Sequence, residues 1–106
     1  WVERNAHAAD ANAHLEQVKS AYQDLSSQQV EADSSLRGQY LLLLRCHADL
    51  VDRMQIVGEL WERDLWYDYP QYEQETILEP RTSKTDADGR LAPKADYDEA
   101  LSQISL

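Results

Sequence analysis

Two stretches of this chain repeat their apolar residues at alternating intervals of three and four, and that spacing constrains the fold more than any other feature. In the first, Ala8, Ala11, Leu15, Val18, Tyr22, Leu25 and Gln29 share one face of a helix in heptad register. The seam is narrow and rich in alanine. The opposite side carries Asp10, Glu16, Lys19 and Asp24, so this helix is expected to lie against a neighbour while staying largely solvated.

The second stretch is stronger. Leu36, Tyr40, Leu43, His47, Leu50, Met54, Val57 and Trp61 keep the same spacing, and Leu44, Val51 and Leu65 fill an adjacent row. One facing helix covers a seam of a and d positions, whereas the added row asks for a second neighbour: a third helix, a dimer mate or a foreign chain.

Between the stripes, SSQQVEADSSLRG (26–38) contains no proline. A break there, with Ser34 or Ser35 capping a new helix, folds two arms back as an antiparallel pair; without it the chain continues as one rod. The serine cluster and Gly38 sit where a break equalises the arms, so we read a hairpin with arms at about 3–30 and 35–68. Pro70 drives Tyr69 out of the helical region and is expected to end the second arm near Asp68. The segment 69–94, with Pro80, Gly89 and Pro93, reads as extended chain and loop. Asp96 and Glu99 read as a capping box on a short C-terminal helix (95–106) that would cover part of the wide stripe.

Composition agrees with an all-α class: three Gly, three Pro and no Phe in 106 residues. The expected fold is a coiled-coil-like antiparallel helical hairpin with an extended acidic and aromatic segment and a short terminal helix. A chain this short covers its own apolar surface only modestly, so dimerisation or a partner is expected to complete it. The formal charge of −10 disfavours nucleic acid and anionic lipid and favours a basic protein partner. No apolar run approaches the ~20 residues that a membrane span needs. Cys46 stands alone, which rules out an intrachain disulfide or a cysteine zinc site and slightly favours an intracellular setting. The chain opens on Trp1 and reads as a fragment or a processed chain, so a leader or anchor could precede it.

Sets of residues that could carry chemistry are sparse. His7, Asp10 and His14 share a helical face, but the two histidines sit ~10 Å apart along the axis, so they read as a solvated polar edge. In KTDADGRLAPKA, Asp86, Asp88 and Gly89 resemble part of a calcium loop, yet Lys84 and Ala95 occupy the first and last ligand positions; a turn around Asp88 and Gly89 explains the letters. Cys46 and His47 are adjacent and point ~100° apart, so they do not form a nucleophile and base pair. His47 lies on the stripe as a core or interface histidine whose titration would make assembly sensitive to pH. Phosphate-loop, HExxH and GxSxG motifs are missing, and no motif identifies a family. The expectation is a protein that is not an enzyme and needs no metal or cofactor.

The stretch LWERDLWYDYPQYEQE (60–75) divides in two. Trp61 and Leu65 fall on the stripe, but Trp66 points ~140° away, and Tyr67, Tyr69 and Tyr72 follow into the segment with the proline. These rings either fold back to seal the end of the hairpin, the reading we favour, or stay outward as a docking strip. From Glu59 to Glu79, seven acids against Arg63 leave a net −6 around them, which suits a basic groove and, less strongly, tyrosine phosphorylation or sulfation. The candidate partner-binding residues are therefore Leu43, His47, Leu50, Met54, Val57, Trp61, Trp66, Tyr67, Tyr69, Tyr72, Glu73 and Glu75. The expected function is a non-catalytic assembly module, either a homo-oligomer or a scaffold subunit. The alternative is a small acidic inhibitory binder, an immunity protein or antitoxin, that docks its aromatic strip into a toxin's basic site.

Overall fold

The computed structural model describes residues 2–31 and 35–104, and among these the secondary structure is helical apart from one isolated bridge between Thr85 and Leu91. The elements are α1 (Val2–Ser26), α2 (Arg37–Asp64), a single 3₁₀ turn (Pro70–Tyr72), α3 (Gln74–Thr82) and α4 (Ala92–Gln103). The body is elongated, 56 × 31 × 19 Å.

α1 and α2 form the hairpin, and its antiparallel sense follows from contacts at both ends. Tyr40, in the first turn of α2, donates its hydroxyl to Leu25 O (3.0 Å) near the end of α1, while Arg4, near the start of α1, reaches Asp64 at the end of α2. The α1 seam is seated as its spacing implies: Ala11 is buried, and Ala8, Leu15, Val18, Tyr22 and Leu25 are half-buried. The helix stops short of Gln29, which is exposed. Ser26 and Ser27 donate their hydroxyls to Gln23 O (3.0 Å) and Asp24 O (2.7 Å), a local alternative to further helix.

The start of α2 departs from expectation. Leu36 is the N-cap, with no side-chain cap, and is exposed rather than packed on the stripe; Ser35 does not cap the helix, and Ser34 lies outside the described residues. The end departs too. α2 finishes at Asp64, four residues before Asp68, in a tightened turn where Trp66 N–H donates to Arg63 O (3.1 Å). Arg4 donates to Asp64 O and to Tyr67 O (2.8 Å), taking up carbonyls that a longer helix would have satisfied itself.

α2 is the central element, with α1 on one side and α3 and α4 on the other. Tyr40 meets the end of α1, and Gly58 faces Asn12, whose Oδ1 would lie 3.6 Å from a Cβ at that glycine. Asp49 is nine residues from each, half a turn out of phase at ~100° per residue, and faces α4. This chain does supply α2 with a second neighbour, but α4 packs on the face opposite Tyr40 and Gly58 and does not cover the wide stripe as expected.

The segment expected to be extended contains α3, with Pro80 inside the helix. Proline lacks the N–H that would bond Thr76 O, and that carbonyl instead accepts from Arg63 Nη1 of α2 at 2.8 Å. Pro80 and Ile77 are buried. The C-terminal helix forms but begins at Ala92, with Pro93 in its first turn, where a missing N–H costs nothing. The Asp96 capping box does not form; Asp96 turns to Arg45 of α2.

Candidate functional site

The aromatic end is the most open of the expected surfaces. Trp66, Tyr69 and Tyr72 are 59%, 67% and 79% exposed, so these rings do not seal the hairpin as favoured above. Only Tyr67 is half-buried. Arg4 closes the end of α2, and the chain leaves it turned outward; Pro70 then starts a 3₁₀ turn in which Tyr72 N–H donates to Tyr69 O (3.1 Å). Tyr69 and Tyr72 lie with ring centroids 6.4 Å apart, and the Arg63 guanidinium sits 5.7 Å from the Trp66 ring. Glu73 and Glu75 are exposed beside them. Of the seven acids in this segment, Asp64 pairs with Arg4 and Glu79 with Arg63 at 3.1 Å, which leaves five outside any ion pair among the described residues.

On α2, Leu43, Leu50 and Val57 are seven apart and share a flank between the side facing α1 and the side facing α3 and α4. Leu43 is 40% exposed; Leu50, Val57 and Trp61 are half-buried. The flank ends in a cavity of about 260 Å³ lined by Val57, Leu60, Trp61, Asp64 and Ile77. His47 and Met54, also half-buried, fall nearer the α1 side of the helical wheel. His47 Nδ1 is shielded from solvent with no hydrogen-bond partner. His7 belongs to the hairpin interface: it stacks on Trp61 with centroids 5.2 Å apart and planes 22° from parallel. The expected residues thus form two surfaces, an α2 flank and an aromatic strip, with Trp61 held inside the fold.

Sequence reasoning missed a polar cluster that joins α2 to α4. Arg45 Nε donates to both carboxylate oxygens of Asp96 at 2.9 Å, Glu99 lies 3.5 Å from the same guanidinium, and Asp49 is enclosed beside them at 8% exposure. Burial, then the hydrogen bond to Asp96 and the charges of Asp96 and Asp52, push the Asp49 carboxyl up to about 7. Hydrogen bonds from Arg45 and Asp49 hold Asp96 down at about 2, and the bond to Asp96 raises Arg45. Asp49 Oδ2 is shielded from solvent with no hydrogen-bond partner, a position that favours the protonated carboxyl, the form able to donate toward Asp96. Cys46 is buried here too, its Sγ 3.9 Å from Tyr97 O, and burial raises its thiol. A signal existed in the sequence: Leu42, Cys46, Asp49, Arg53, Ile56, Leu60 and Arg63 repeat the four and three spacing half a turn from the first seam. Its charged members hid it.

The Asp86 loop is a turn closed by Gly89 N–H to Asp86 O (3.0 Å), one residue earlier than expected, with Gly89 at φ 80° and Asp86 Oδ1 accepting from Asp88 and Arg90 N–H. Among the described residues, no group of three or more His, Cys, Asp and Glu side chains could hold a metal ion, and no helix is long and apolar enough to cross a membrane. Fold and surface together define a small all-α protein, a helical hairpin whose second arm carries two further short helices. No family model, no curated protein and no solved structure matches this chain.

Proposed function

We propose that this chain is a non-catalytic protein interaction and assembly module that engages its partner through the flank of α2. The observation that carries this reading is the half-open state of Leu43, Leu50 and Val57 on a helix with neighbours on two sides. Fully buried apolar residues among those described are few and mostly small, Ala11, Cys46, Ile56, Ile77 and Ala100 among them, so a partner on the flank would add the apolar burial that a short chain lacks. Self-association through two such flanks, or insertion into a heteromeric scaffold, would both use it.

The exposed aromatic strip supports a second reading, a small acidic inhibitory binder. Trp66, Tyr69 and Tyr72 stand outward in a segment of net −6, and Trp and Tyr supply most hot-spot energy where a basic groove receives them.

Sedimentation and native pull-down with two variants separate the readings. Leu43→Lys with Leu50→Lys should abolish assembly under the first, while Glu73→Lys with Glu75→Lys leaves it nearly intact. An inhibitor would show the reverse, its on-rate falling with the glutamate changes. A folded monomer whose partner binding ignores the leucine changes would overturn the assembly reading.

A further inference from the structure

Twenty acids outnumber ten bases in this chain, yet Arg53, Arg81, Arg90 and Lys94 converge on one cavity of about 540 Å³. They come from separate places: Arg53 from α2, Arg81 from the end of α3, Arg90 from the turn after it and Lys94 from the first turn of α4. Asp98 is the one acid in the lining, and Lys94 already holds it at 2.9 Å, so the lining carries a net +3. Among the described residues, the guanidinium groups of Arg81 and Arg90 take part in no ion pair or hydrogen bond.

The backbone adds to this charge. Asp86 Oδ1 accepts from Arg90 N–H at 2.9 Å and pins the turn that presents Arg90. Pro93 has no N–H, and the Lys94 N–H finds no acceptor among the described residues, so the positive end of α4 opens beside the same side chains. Arg53 is held over the Tyr97 ring, 6.0 Å from its centroid, which limits its rotamers before any ligand arrives.

We propose that this cavity is a binding site for a small soluble molecule carrying two or more linked phosphate groups. Guanidinium forks match phosphate oxygens in pairs, and three arginines around one concavity suit more than one phosphate. The shape favours a small molecule, since a protein surface would need a broad contact of ~1,000 Å² or more rather than a pocket. The net −10 of the chain does not forbid an anion here. At physiological salt, charges farther than ~8 Å are largely screened, so the local cations decide.

Binding of inorganic tripolyphosphate, followed by amide chemical shifts at constant ionic strength, tests this. The expected result is saturable binding with shifts at Gly89 to Asp96, and orthophosphate weaker by about tenfold or more. Arg81→Glu with Arg90→Glu should weaken tripolyphosphate by about tenfold or more; Lys19→Glu with Arg37→Glu, an equal change of net charge outside the cavity, should not. Urea melts confirm that each variant folds. Equal losses in the two double variants, undiminished binding by the first, or no saturation at millimolar tripolyphosphate would each overturn the site. Displacement by polyglutamate as effective as by tripolyphosphate would overturn its phosphate selectivity. The protein is also sedimented with phosphatidylcholine vesicles containing one part in twenty of a bisphosphorylated phosphatidylinositol. Pelleting that depends on Arg81 and Arg90 would move the same phosphate chemistry to a lipid headgroup and overturn the soluble assignment.

Discussion

Arg4 caps Asp64. The guanidinium from the first turn of α1 donates Nε to the Asp64 carboxylate and Nη2 to its carbonyl and to Tyr67 O at 2.8 Å. Tyr40 of α2 performs the converse task, its hydroxyl reaching Leu25 O of α1 at 3.0 Å. Each arm thus satisfies carbonyls at the C-terminal end of the other, and the cation stands at the negative end of the α2 dipole.

Replacing Arg4 by Met should strip Tyr67 O of its donor and leave Asp64 O with only the Tyr67 N–H, costing about 1–3 kcal/mol in urea unfolding. Arg4→Lys should fall between Met and wild type, because an ammonium keeps the attraction but loses the fork. Identical unfolding midpoints for wild type and Arg4→Met would sink this account of how α2 ends.

Tyr40→Phe should lose about 1 kcal/mol and act locally. Hydrogen exchange is expected to speed up in the last turn of α1, around Ala21 to Ser27, before it changes elsewhere. Unchanged exchange in that turn would show that the hydroxyl does not hold the end of α1.

Asp49 should make stability fall as pH rises. Its carboxyl is pushed up to about 7 in the folded chain, against ~3.9 when unfolded. Between those values the folded state holds a proton that the unfolded state has released, so unfolding free energy decreases with pH across that window and levels off above it. Asp96 works in the opposite sense and lower down: held at about 2, it stabilises the fold above ~3.9 and loses that contribution as pH falls toward about 2. Asp49→Asn keeps a donor for Asp96 without the charge. It should flatten the decline and exceed wild type in stability near pH 8, but not near pH 5; a parallel decline in both proteins would rule out Asp49 as its source.

Removing the outward rings should barely affect stability. Trp66→Ala, Tyr69→Ala and Tyr72→Ala are each expected to stay within about 0.5 kcal/mol of wild type, as exposed positions do. Trp61→Ala, which strips the ring stacked on His7, should cost about 2 kcal/mol or more in thermal melts. A large loss from the Trp66 change would restore these rings to a sealing role.

Much of the frame was legible in the chain alone. The spacing of Ala8, Ala11, Leu15, Val18, Tyr22 and Leu25 identified the face that α1 buries, and the Leu36 to Trp61 stripe identified α2 as a long amphipathic helix, though not the opposite face on which α4 packs. Local periodicity suffices there because a helix must bury one face whatever it meets. Helix ends and partners were not legible, since each depends on a side chain from far along the sequence. At the end of α2 Arg4 takes up the Asp64 and Tyr67 carbonyls, and in α3 Arg63 takes the carbonyl that Pro80 leaves open. Asp96, read as a cap, is claimed by Arg45, and the four cations of the phosphate cavity meet only once four elements are in place. The sequence by itself determined the helices and their apolar faces. Tertiary structure decided where the helices end, which charges are paired and which rings stay outside, because polar groups are satisfied by distant partners rather than by their neighbours in the chain.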